Sequence, residues 1–163
     1  MQPYTSLITL EDIPSNSNNL PQSFSDTEDV NYMTNLIKDS LSDTPQYPGE
    51  FYVVAKNDKG VVVGLLGYRD TIAKFKQFSK GNKPIEIYSL FVDTNLRQKG
   101  IGTSLIKFLE DYAIKNNYDE IIVRSADKFK DTGWIFYEKM GFILAGTIEG
   151  STGNLSNIYR KSV

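Results

Sequence analysis

The chain has 163 residues, 40% hydrophobic, 12% aromatic and 23% charged, with a net charge of −2. That balance excludes a disordered tail and suits one domain over residues 1–163. Cysteine and histidine are both absent, which excludes disulfide frameworks, thiolate nucleophiles, thiolate or imidazole metal sites and every His-dependent triad, so no metal centre is expected.

In chain order, residues 4–10 read as a first strand, with Tyr4, Ser6, Ile8 and Leu10 on one face. Residues 12–25 are rich in Ser, Asn and Pro and read as a loop or mobile flap. Ser25 and Glu28 have capping-box spacing, and Val30, Met33, Leu36, Ile37 and Leu41 follow at helical intervals, so residues 27–42 are predicted as an amphipathic helix. Two apolar β-rich runs, 51–56 and 61–69, flank Asn57-Asp-Lys-Gly60 and predict a hairpin buried on both faces. Residues 71–83 are basic and indefinite, either a short helix or a long loop.

A strand is expected over 85–92, a helix over 102–117, a strand over 120–125 and a short helix over 133–139 stopped by Gly141. Strands over 142–148 and 155–160 close the chain around a turn at 150–154. This order predicts a mixed α/β sheet flanked by helices. The longest apolar runs fall far below the ~20 residues of a membrane span. No basic cluster or apolar core marks a secretory signal at the N-terminus. A cytoplasmic setting fits the lack of cysteine, and the net acidity argues against nucleic-acid binding.

The chemistry concentrates after Leu90. Arg97-Gln-Lys-Gly100-Ile-Gly102-Thr-Ser104 joins a strand to a helix. Gly100 and Gly102 allow close backbone approach, and the first amides of the helix suit a pyrophosphate. Thr103 and Ser104 can add hydroxyls, and Arg97 and Lys99 add positive charge. The order required of a Walker A loop is missing, and Leu105 stands where the third glycine of a dinucleotide fingerprint belongs.

The segment resembles the GNAT family of N-acetyltransferases, whose acetyl-CoA motif, [Q/R]-x-x-G-x-[G/A], is matched at every fixed position from Arg97 to Gly102. Leu90-Phe-Val92 resembles the family's strand before that motif, and Phe136-Tyr137-Glu-Lys-Met-Gly141-Phe142 resembles its F-Y-E-K-x-G-F segment. The resemblance is close over residues 51–148. It implies the acyl-CoA N-acyltransferase fold, a mostly antiparallel seven-stranded sheet with a splayed parallel strand pair, and acetyl-CoA as cosubstrate. Backbone groups near Phe91 and Val92 would hold the pantetheine and thioester. Amides from Gln98 through Lys99, Gly100, Ile101 and Gly102 to Thr103 would hold the pyrophosphate. Tyr137 matches the tyrosine that protonates the departing thiolate. Glu86 lies where one branch of the family carries its general base. Lys130 stands where many members have an asparagine.

The implied reaction is direct acetyl transfer to an amine of a small molecule or peptide; the alternative is a non-catalytic CoA-binding module. Residues 1–50 hold eight acids against Lys38 alone, a balance of −7, while the remainder carries +5. The resemblance places residues 1–50 beside the acceptor cleft and so implies a cationic acceptor, with polyamines or other multiply charged amines ahead of neutral or acidic ones. The sequence leaves a homodimer open.

Overall fold

The computed structural model describes residues 4–7 and 27–163, with backbone alone for 4–7, 27–30 and 33. The predicted 12–25 loop, Ser25 of the capping box, and residues 8–10 lie outside the described residues. Seven strands, β1 (Tyr4–Leu7), β2 (Glu50–Lys56), β3 (Val62–Asp70), β4 (Pro84–Val92), β5 (Glu120–Ala126), β6 (Ile143–Glu149) and β7 (Leu155–Ser162), form a sheet in the order β1-β2-β3-β4-β5-β7-β6. The four-residue β1 is an edge beside six strands of seven to nine residues. The helices are α1 (Thr27–Ser40), α2 (Ala73–Lys76), α3 (Ile101–Lys115) and α4 (Ile135–Lys139). The mixed sheet flanked by helices is the architecture expected from the sequence, and β4 and β5 supply its parallel pair.

Two compact units divide the chain, Met1–Tyr68 with Ser89–Phe108, and Arg69–Tyr88 with Leu109–Val163. In the first unit β1 runs antiparallel to β2, with Tyr4 opposite Lys56 and Leu7 opposite Val53. The β2–β3 turn closes through Asn57 N–H to the Val61 carbonyl at 2.9 Å. The Asn57 side chain accepts from the Lys59 and Val61 amides, and Gly60 has φ +75°. Every residue of β3 from Val62 to Tyr68 is buried. A strand covered on one face alternates; one covered on both does not, which is why these runs read as continuously apolar.

In the second unit the parallel ladder pairs Pro84–Ile87 with Glu120–Val123. β5 pairs antiparallel with β7 from Glu120↔Ser162 to Ala126↔Ser156. β6 pairs with β7 through an irregularity between Leu144 and Gly146. Phe75, Ile122 and Ile158 are buried together on one face, joined by Phe78, Ala145 and Ile148.

The basic stretch 71–83 resolves into α2 followed by a loop held by two adjacent acids. Asp119 accepts from the Asn82 and Lys83 amides at 2.7 and 3.0 Å. Glu120 accepts from the Ser79 hydroxyl at 2.6 Å and the Lys80 amide at 3.2 Å. Both acids stand at the start of β5, some forty residues away in sequence, which is why the segment looked indefinite by itself.

Candidate active site

In the first unit, β4 leaves the sheet through a tight turn. The Asp93 amide donates to the Val63 carbonyl at 3.0 Å. The Asp93 carboxylate caps a 3-10 turn over Thr94–Leu96 by accepting the Asn95 amide at 2.9 Å. The chain extends at Arg97, then passes through left-handed backbone at Gln98 (φ 63°) and Gly100 (φ 83°). Gly100 favours that region because it has no Cβ, and a Cβ there would meet open space. The Gly100 carbonyl accepts the Ser104 amide at 2.9 Å and opens α3. The amides of Ile101 and Gly102 therefore precede the first intrahelical bond and sit at the positive end of a fifteen-residue helix.

Arg97, Gln98, Lys99 and Gly100 are exposed, Gly102 is half-buried, and Ile101 packs inward at 5% exposure. Among the described residues no carboxylate pairs with Arg97 or Lys99. Amides, helix end and two uncompensated cations make this turn an electropositive cradle suited to a pyrophosphate. Phe91 and Val92, half-buried at the end of β4, lead into it. One expected donor is placed differently: the Ser104 hydroxyl donates to the Ile101 carbonyl at 2.8 Å, a back-bond within the helix rather than a group offered to a ligand.

The sequence reading missed Gly64. A Cβ there would lie 2.8 Å from Ile101 Cγ2, 3.1 Å from Leu105 Cδ1 and 3.4 Å from the Phe91 carbonyl oxygen. Its bare backbone lets the first turn of α3 settle against β3. Gly64→Ala is expected to destabilise the protein by about 1–3 kcal/mol through overpacking, measured as a lowered denaturant midpoint. An unchanged midpoint would show that α3 moves aside at no cost.

In the second unit, Tyr137 lies in α4. A π turn over Lys130–Trp134 delivers the chain to it, and the Trp134 indole N–H donates to the Ser125 carbonyl at 3.0 Å. Lys130 opens that turn as an exposed side chain. A left-handed Gly141 (φ 86°) ends α4, its amide donating to the Glu138 carbonyl at 3.1 Å and the Phe142 amide to the Tyr137 carbonyl at 3.0 Å. These two bonds make a Schellman stop, in which the residue after the glycine packs back on the last turn. The Phe142 and Tyr137 rings accordingly meet at 5.4 Å. The spacing of tyrosine, glycine and phenylalanine therefore has a physical cause in the backbone.

Phe136 and Tyr159 also pack on the Tyr137 ring, at 5.5 and 6.0 Å. Tyr137 is 6% exposed, and its hydroxyl bonds to no other described residue. Burial pushes its pKa above the ordinary tyrosine value, so the group is protonated throughout the neutral range. The neighbouring Tyr159 hydroxyl donates to Glu138 at 3.3 Å and accepts from the Asn157 amide at 3.1 Å.

Glu86 is 1% exposed in β4, and its carboxylate is paired. Arg69 reaches it from β3, with Nε 3.3 Å from Oε2 and Nη2 3.1 Å from Oε1. The Ile72 amide adds a third donor, 3.3 Å from Oε2. The Arg69 guanidinium lies 4.9 Å from the centre of the Tyr88 ring. A cavity of about 510 Å³ in this unit is lined by Lys80, Glu120, Gly141, Ile143, Arg160, Lys161 and Ser162, and includes none of the expected site residues.

Residues 17–142 match the Acetyltransferase (GNAT) family. The chain belongs to the GNAT family of acetyltransferases. A Xenopus tropicalis relative of this GNAT chain, N-acetylaspartate synthetase, is 27% identical over 124 residues, 74% of this chain and 42% of the relative. The chain thus spans less than half the length of that curated relative. Ard1 from Thermoplasma volcanium superposes with a TM-score of 0.72 at 20% identity, covering 100% of this chain and 99% of its own. An aminoglycoside 6'-N-acetyltransferase complexed with coenzyme A superposes at 0.58 with 16% identity, covering 83% and 80%. These likenesses establish the fold. No helix among the described residues is long and apolar enough to cross a membrane.

Proposed function

We propose that the protein transfers an acetyl group from acetyl-CoA directly to an amine. The observation that carries this reading is the cradle at Gln98–Gly102, where the backbone turns left-handed, a helix begins, and no carboxylate among the described residues pairs with Arg97 or Lys99. Family membership and the coenzyme A complex of a structural neighbour support it. The pyrophosphate would take the amides from Gln98 to Thr103. The pantetheine arm would run along β4 near Phe91 and Val92.

In the transfer, the amine nitrogen bonds to the acetyl carbon and the carbon–sulfur bond breaks. The departing thiolate takes a proton, and Tyr137 is the proposed donor because burial keeps it protonated. An amine attacks only when neutral, and a lysine-like amine has a pKa of about 10.4. Glu86 is the proposed proton acceptor, through water at Oε1, which takes one donor from Arg69 where Oε2 takes two. The balance of −7 over residues 1–50 would draw in the ammonium form of the acceptor.

Calorimetric titration with acetyl-CoA, ATP and NAD tests the cosubstrate. Binding of acetyl-CoA alone is expected, and binding of ATP or NAD in its place would overturn the reading. For Glu86, Glu86→Gln should lower kcat about 10²-fold at neutral pH and leave acetyl-CoA affinity unchanged. The deficit should shrink as the pH approaches the amine's own pKa, because the acceptor then arrives neutral. A deficit that stays constant with pH would show that Glu86 serves only to hold Arg69.

A further inference from the structure

The second unit holds a fixed cation that neither the fold nor the proposed chemistry uses. Arg124 lies on β5 opposite Ile158 of β7. Glu86 stands opposite Ile122 in the parallel ladder, so alternation puts Arg124 on the face of the sheet that carries Ile122, Glu86 and Tyr88. The Arg124 side chain is exposed but anchored: Nε donates to the Ser156 hydroxyl at 3.1 Å, and Ser156 is 1% exposed. Its Nη2 lies 3.8 Å from where a Cβ of Gly150 would sit, so the guanidinium rests over the β6–β7 turn.

Lys83 of this unit is satisfied by the Asn116 carbonyl and the Tyr118 ring, and two further anchored cations have counterions. Arg69 is paired with Glu86, and Lys161 with Glu110. Among the described residues no carboxylate pairs with Arg124. Glu149, one residue before the turn, folds instead toward Gly153, 3.7 Å from a Cβ there. With Nε committed to Ser156, the two terminal nitrogens still present a planar fork of N–H donors, the geometry that binds a carboxylate in bidentate fashion.

We infer that Arg124 is a specificity-determining residue that pairs with a carboxylate carried by the acceptor amine. The inference rests on the acetyl-transfer reading above, in which Glu86, on the same face of the sheet, takes the proton of the acceptor amine. Charge counting favours polyamines, whereas the anchored guanidinium favours an amine with an acid group. An amino-acid-like acceptor carries both the amine the reaction needs and a carboxylate for Arg124.

The test compares kcat/KM for wild type and Arg124→Gln on L-phenylalanine against L-phenylalaninamide, L-aspartate against L-asparagine, and putrescine. Taking each acceptor's ratio of wild type to variant cancels its own reactivity. Arg124→Gln should cost the carboxylate whose pairing it removes about 10–100-fold, the usual worth of a hydrogen bond to a charged group, while phenylalaninamide and putrescine change less than about twofold. Arg124→Lys should recover part of the loss, and the acetyl-CoA Kd should be the same in all three proteins. Equal losses on every acceptor, or no loss on any, would overturn the assignment and leave acetyl transfer standing. Failure of wild type to acetylate any amine would overturn both.

Discussion

Tyr137→Phe is expected to lower kcat about 10²–10⁴-fold with little change in acetyl-CoA affinity, the range typical of a lost general acid. The substitution removes one oxygen and keeps the ring that packs on Phe136, Phe142 and Tyr159. Because that hydroxyl makes no bond to another described residue, its loss leaves no orphaned partner, and stability should change little. The pH dependence has a definite sign. Burial raises the folded pKa above the ordinary value of 10.0, so the acid is in its active, protonated form at every pH below that value. Tyr137 should therefore contribute no alkaline fall in kcat up to about pH 10. Its contribution to stability is likewise present below pH 10 and is lost above it, where the unfolded tyrosine ionises first. Unaltered turnover in Tyr137→Phe, with an acceptor for which chemistry is rate-limiting, would remove the tyrosine from the mechanism.

Gly102→Glu should weaken acetyl-CoA binding about 100-fold or more, on the order of 3 kcal/mol, by placing a like charge beside the pyrophosphate. An acid in the first turn of a helix suits its dipole, so α3 should survive the change. Calorimetry of a variant with wild-type circular dichroism separates lost binding from lost fold. Unchanged affinity would move the pyrophosphate away from this turn.

The parts of the site that were legible in the sequence are those whose geometry is local. Gly100 announces a left-handed turn at a helix start. The Tyr137–Gly141–Phe142 spacing announces a Schellman stop with its ring contact. Asn117 acts similarly at the end of α3, with φ 60° and the Tyr118 amide returning to the Ala113 carbonyl at 2.9 Å. What stayed hidden depends on partners distant in the chain. Arg69 and Glu86 are seventeen residues apart on different strands, so nothing in the strand pattern around Glu86 announces its partner. The loop anchored by Asp119 and Glu120 and the packing of Gly64 against Ile101 are hidden for the same reason. Ser104 shows the opposite limit: its residue type permits a ligand bond, and its helix position supplies a competing carbonyl.

The cradle and the tyrosine together claim that acetyl-CoA is consumed by an amine, and one measurement addresses that claim. The full chain is incubated with acetyl-CoA and each amine of the panel, and free thiol release is followed while the product is identified by mass. Thiol release that requires both an amine and Tyr137, with stoichiometric N-acetylated product, is the predicted result. Acetyl-CoA binding without amine-dependent thiol release would contradict it and make the protein a CoA-binding module.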